Sequence, residues 1–329
     1  MKIRYELPAI LLVVAIFAVA DFTGQKEIIF PEIAALALGA WVMEKSPWPG
    51  ADIYFWLSPT LAALTGILIV RYFTFAPFWM ITAAFCLVAL ELKLARSAMF
   101  PSISAAILPI ITHSDSWYYP LSVCGLTGII TLGRRAMNSY ASAKCQTRAP
   151  TVTGGYARKE TWTLPESAHW GKLLAGVILV TAVAVRFDFL FMVAPPLIVA
   201  FVELSKPGGA AREKAGTALI LLVLAAVFGV FWLLLIQNVF HLPVWISACV
   251  STLTVFLLYH ALRMPFPPAV AIALLSTILP EDILLMYPVQ VLAGSAAFVV
   301  LSKVCFGNGG FAPGRTTDAP AAEGASADI

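Results

Sequence analysis

Between residues 218 and 236 the chain reads ALILLVLAAVFGVFWLLLI, with no charged, hydroxyl or amide side chain anywhere in the run. A helix of that length rises about 28 Å, close to the roughly 30 Å hydrocarbon core of a bilayer. It is apolar on every side, so it cannot be the one-sided helix of a soluble domain. Residues 7–20, LPAILLVVAIFAVA, follow the same pattern. Only 12% of the chain is charged, about half the usual share of a soluble domain. No polar segment is large enough to bury a core of its own. The chain is therefore read as all-α: a polytopic, multi-pass transmembrane helical bundle of a cell membrane, in the manner of a cell inner membrane protein. Its first partner is the lipid bilayer. A net charge of +3, spread over short loops, argues against a nucleic-acid partner.

The apolar stretches fall near 7–21, 28–44, 55–73, 77–95, 101–112 and 118–133, and again near 171–187, 189–205, 215–237, 243–262, 266–279 and 283–302. Order and relative length match, and in both halves the fifth stretch is short. An offset of 166 places Pro77 on Pro243, Trp79 on Trp245, and Phe100-Pro101 on Phe266-Pro267, while Tyr119-Pro120 matches Tyr287-Pro288 two residues later. Apolar helices align readily by chance; Pro, Trp and Phe-Pro at one offset do not. The expected plan is thus two tandem transmembrane repeats, 1–133 and 171–305, of the kind common in transporters. A basic linker, 134–170, joins them, and a Gly, Ala and Pro-rich tail, 306–329, reads as disordered. Lys2, Arg4 and Ala18-Val19-Ala20 imitate a secretory signal, but recurrence of a similar span at the start of the second half favours a retained helix.

Six crossings per half with a cytoplasmic N-terminus put all but Lys26, Arg71 and Arg186 of the 21 Lys and Arg residues on the cytoplasmic side. Five crossings per half divide them far more evenly. An even count makes the repeats parallel and both termini cytoplasmic. The short stretches cannot span the core as single helices, so they are read as broken or re-entrant, which leaves eight to twelve full crossings.

Those short stretches also carry the chemistry. FPEIAAL (30–36), FPSISAAIL (100–108), APPLIVAF (194–201) and FPPAVAIAL (266–274) each open with proline, which suits a first helical turn. A helix that starts inside the membrane leaves N–H groups unpaired and carries partial positive charge there, an arrangement that can hold an anion without a basic side chain. The substrate-binding candidates are Pro101, Ser102, Ser104, Pro267, Pro268 and Thr277, together with Glu32, which could equally hold a proton or a cation. The bland alternatives are proline kinks and serine back-bonding within the helix. Glu91, His260 and Glu32 converging on one lateral groove would instead indicate a membrane-embedded enzyme, and a large apolar face without a cavity would indicate a non-transporting subunit of a complex.

No catalytic residues, metal site or cofactor are expected. Cys86, Cys124, Cys145, Cys249 and Cys305 lack C-x-x-C spacing, the four histidines are scattered, and no phosphate-binding loop, H-E-x-x-H or G-x-S-x-G is found. The second half resembles the HPP family of integral membrane proteins, some of which are associated with nitrite transport in chloroplasts and cyanobacteria. The resemblance lies in the order APPLIVAFVELSKP (194–207), a long helix from Gly216, another from Pro243, FPPAVAIALL (266–275) and YPVQVLAGSAAFVVL (287–301). Phe266 stands where that family has the histidine of its name, and the first half has Phe100. The resemblance implies a small-anion transporter or channel. The chain is read as a secondary transporter or facilitator for a small solute, by preference an anion, bound between the repeats, and a homo-oligomer is compatible with that reading.

Overall fold

The computed structural model describes residues 6–43, 46–48, 51–145 and 164–307. Among them every regular element is helical. The first half contains α1 (Glu6–Thr23), α2 (Glu32–Ala37), α3 (Ile53–Tyr72), α4 (Pro77–Ala95), α5 (Pro101–Ile111) and α6 (Tyr118–Cys145). The second contains α7 (Leu164–Arg186), α8 (Pro195–Ser205), α9 (Ala210–Glu213), α10 (Ala215–Leu234), α11 (Val244–Leu262), α12 (Pro267–Leu275), α13 (Glu281–Leu284) and α14 (Tyr287–Phe306). Seven of these, α1, α3, α4, α7, α10, α11 and α14, are long and apolar enough to cross a membrane. The protein is a multi-pass membrane helical bundle.

The expected linker is partly helical. Helix α6 continues beyond 133 to Cys145, and α7 begins at Leu164, because the Arg, Ala, Met and Lys residues that follow the apolar part of α6 are good helix formers in water too. The middle of that linker, 146–163, and the tail 308–329 lie outside the described residues.

Contacts sort the chain into two ends. At one end Glu6 pairs with His260, Asp52 with Arg134, and Trp48 and Lys206 with Glu203, while the Lys172 ammonium donates to the Cys305 carbonyl. At the other, Arg71 meets Asp115, Ser122 Oγ donates to the Ile28 carbonyl, and the Phe191 N–H donates to Gln290. Consecutive stretches therefore alternate direction. Exposed aromatic side chains gather at this second end, among them Phe22, Tyr72, Phe75, Trp79, Tyr118, Phe187 and Phe240, as amphipathic and aromatic rings do at a membrane–water interface.

Burial separates long helices from short ones. The long helices bury between 33% and 44% of their apolar windows, which leaves most of each helix for lipid. In contrast, all residues of α2, α5 and α12 are buried, as are all of α8 except Glu203. Six to eleven residues rise only about 9–16 Å, so these helices lie inside a wall of long ones. They touch one another: α2 packs on α5 and α12, and α8 packs on the same two. Small side chains permit the close approach. A Cβ on Gly66 of α3 would fall on the Ala106 carbonyl oxygen of α5, and one on Gly229 of α10 would fall on that of Ala273 in α12.

Such contacts recur in pairs. The Tyr119 hydroxyl donates to the Ala105 carbonyl at 2.8 Å, and that of Tyr287 to Ile272 at 2.8 Å. Phe30 meets Tyr119 edge-on with centroids 6.1 Å apart, and Phe191 meets Tyr287 at 5.8 Å. Helices α4 and α11 both end on a left-handed arginine, Arg96 and Arg263, and Gly24 and Asp188 take left-handed conformations just beyond α1 and α7.

Candidate functional site

Glu32 is the ionisable side chain at the centre. Pro31 precedes it and, lacking an N–H, opens the short helix without leaving an unpaired donor. The residue is 2% exposed, in the first turn of α2 where that helix meets α5 and α12. Ser104 of α5 donates its hydroxyl to Glu32 Oε1, whereas Oε2 is buried without a partner. Ser102, half a turn earlier on α5, is also fully buried with an unpartnered hydroxyl. Around these groups the polar atoms are satisfied. Tyr119 is bonded to Ala105, Tyr287 to Ile272, and Thr277 Oγ1 to the Leu274 carbonyl.

The helix N-termini behave differently from the expectation that they present free donors. Pro267 and Pro268 have no N–H; the next two donors of α12, Ala269 and Val270, bond to the Phe266 carbonyl at 3.0 Å and to Tyr259 Oη at 3.1 Å. In α5, Ser102 and Ile103 donate to Met99 and Phe100, both at 3.0 Å. In α8, after Pro195 and Pro196, Leu197 donates to Ala194 at 2.7 Å. Proline and 3₁₀-type bonds thus settle the orphan donors that a helix start inside a membrane would otherwise expose.

Two cavities open at the aromatic end. The larger, about 370 Å³, is lined by Asp21, Lys26, Gln237, Asn238, Thr277 and Glu281 among others. The smaller, about 170 Å³, is lined by Lys26, Glu27, Pro109, Thr112 and Tyr119. Ile29 lines both, Tyr119 lines the smaller and meets Phe30 edge-on, and Glu32 follows Ile29 by three residues.

Among the described residues, the opposite end is tied together. Trp48, 1% exposed, donates its indole N–H to Glu203 Oε1 at 3.1 Å. Lys206 reaches both Glu203 oxygens at 2.8 Å and lies 4.6 Å from the centre of the Phe100 ring. The loop after α2, the end of α8 and the start of α5 are tied together there.

The structure therefore joins Glu32 to Ser104; Ser102, two residues before Ser104 on α5, lies on another face of that helix. It sets Pro101 at the shut end of α5, Pro267 and Pro268 at the corresponding end of α12, and Thr277 beside the larger cavity. Glu91 accepts a hydrogen bond from Thr65 and lines a shallow groove between α3 and α4, while His260 pairs with Glu6 at the shut end. Glu32, Glu91 and His260 do not converge. Comparison with protein-family models, with curated proteins and with solved structures finds no match to this chain.

Sequence reasoning passed over Tyr119, Trp48, Glu203 and Lys206 as site residues. The Tyr-Pro pairs at 119 and 287 were visible as repeat matches, but a tyrosine's bond to a carbonyl 14 or 15 residues back leaves no local signal.

Proposed function

We propose that the protein is a secondary transporter or passive facilitator for a small solute, bound in the bundle core around Glu32 and Ser104. The observation that carries this reading is the buried Glu32 carboxylate, whose Oε2 is one of seven buried side-chain atoms without a partner among the described residues, three residues on from Ile29, which lines both cavities at the aromatic end. Buried polar groups are normally satisfied, and irregular backbone at membrane depth is tolerated where it is enclosed by protein or lines a wet path. The open aromatic end and the shut Trp48–Glu203–Lys206 end fit one state of an alternating-access cycle.

Paired contacts across α1–α6 and α7–α14 support a tandem duplication. Alternation of ends supports broken crossings over re-entrant loops, and the basic shut end is read as cytoplasmic. The HPP resemblance favours a small anion. With the helix N–H groups already bonded and a carboxylate at the centre, such an anion is best accommodated as the base of a weak acid that travels with a proton. A membrane-embedded enzyme or a non-transporting subunit would need a converging catalytic set or an apolar face without cavities, and neither is among the groups described above.

The test is flux into proteoliposomes for nitrite, formate and bicarbonate, with and without a proton gradient. Uptake of at least one, stimulated by acidifying the side from which it enters, is expected. Absence of flux for every solute under every gradient removes the transport reading.

A further inference from the structure

We propose that Glu32 is a proton-binding coupling site, one per molecule, loaded and emptied through the vestibule at the aromatic end; this rests on the transport reading above. The argument begins with charge. The elements packed on α2 are α1, α5, α6 and α12. Helices α5 and α12 contain no ionisable side chain. Helix α1 carries Glu6 and Asp21 only at its two ends, and α6 contributes Tyr119, whose hydroxyl is already donated to Ala105, one residue after Ser104. From α14, Tyr287 is likewise engaged with Ile272. The arginines of α6 lie at the shut end, where Arg134 pairs with Asp52 at 2.9 Å. Among the described residues, no basic group stands opposite the carboxylate.

An unpaired buried charge is among the costliest features a fold can carry, and it persists only when a counter-charge or proton accompanies it. A hard metal cation would need about six oxygen ligands. The side chains here offer the two carboxylate oxygens and Ser104 Oγ. A proton needs one oxygen, and Oε2 is unoccupied by any hydrogen bond. The proton's route is short: Tyr119 lines the smaller cavity and Ile29 lines both, and Glu32 follows Ile29 by three residues. In the second half, aligning Phe191 with Phe30 and Ile272 with Ala105 sets Val193 opposite Glu32 and Ala271 opposite Ser104. That half has neither acid nor hydroxyl at those places, which sets the stoichiometry at one proton.

The test is infrared difference titration of the purified full-length protein, scanned with pH and repeated in D2O, on wild type, Glu32→Gln and Ser104→Ala. The expected result is a protonated-carboxyl C=O band that shifts down in D2O, titrates reversibly with pH, vanishes in Glu32→Gln and changes frequency in Ser104→Ala as its hydrogen bond is lost. If Glu32→Gln does not fold, the frequency change in Ser104→Ala still assigns the band. A band that is absent, that does not titrate, or that is unmoved by both substitutions overturns the proposal. So does a titration displaced by replacing choline chloride with sodium chloride, which would make the site one for a metal cation. Because this readout needs no substrate, a titrating Glu32 with no solute flux would sink the transport reading alone, and pH-driven flux that survives in Glu32→Gln would sink only the proton site.

Discussion

Two glycines and one serine define how tightly the core is built. Gly66 and Gly229 sit where α3 and α10 press on the backbones of α5 and α12, so a methyl group there must push two helices apart. Overpacking of this kind costs about 1–3 kcal/mol, only partly offset by the roughly 1 kcal/mol better helix propensity of alanine. Gly66→Ala and Gly229→Ala should each lower the melting temperature in detergent. Gly125→Ala, where nothing lies within 4 Å of the added atom, should leave it unchanged or raise it. Equal melting for all three variants would show that the close approach does not bear on stability. Ser104 differs, since among the described residues its hydroxyl is the only side-chain donor to Glu32. Ser104→Ala leaves a second carboxylate oxygen unsatisfied, a loss of about 1–3 kcal/mol in whichever state buries the charge.

At the scale of elements, the short helices owe their position to their neighbours. None spans a bilayer by itself, and the first turns are completed by proline, by bonds to a carbonyl three residues back and, in α12, by the Tyr259 hydroxyl. What distinguishes α8 is its end, where Glu203 ties Trp48 and Lys206 into a latch. Glu203→Ala removes both bonds and leaves the indole N–H unpaired in a site where Trp48 is otherwise enclosed. In a protein with its native cysteines replaced, a cysteine at Ser205, fully buried in the latched end, should then react several-fold faster with a water-soluble maleimide. Trp48→Phe keeps the packing and loses only one hydrogen bond, so its effect should be smaller. Unchanged reactivity in Glu203→Ala would argue that the shut end is held by apolar packing and not by the latch.

Taken as a whole, the described bundle has one basic end, closed among the described residues by the Trp48–Glu203–Lys206 contacts, and one aromatic end into which cavities open. Contacts put the start of α1, the end of α14 and the α8–α10 connection at the closed end, and the α5–α6 connection at the open one. Reporter fusions at Phe306 and in 206–214 should therefore indicate one side of the membrane, and an insertion in 113–117 the other. Fusions at Phe306 and 206–214 that report opposite sides would make the α12 stretch re-entrant instead of a broken crossing and would rule out six crossings in the second half.

The class of fold was legible in the residues alone. Runs such as 218–236 are apolar on every side, and in lipid a backbone must satisfy its own hydrogen bonds, which leaves helices as the form such runs can take. The broken stretches were legible as well, since Phe-Pro and Pro-Pro mark where a helix restarts. The site was legible only as a set of candidates. Glu32 and Ser104 lie 72 positions apart, and nothing local says that they meet. The same holds for the helix starts: proline at 267 and 268 is visible, but the bond from Val270 to the Tyr259 hydroxyl, which withdraws a donor an anion would need, is a product of how α11 folds back on α12. Periodicity and hydropathy report what kind of surroundings a segment requires. Which polar atom is paired, which is left alone, and which end of the bundle is shut depend on the mutual packing of helices distant in the chain, and that the tertiary structure alone decided.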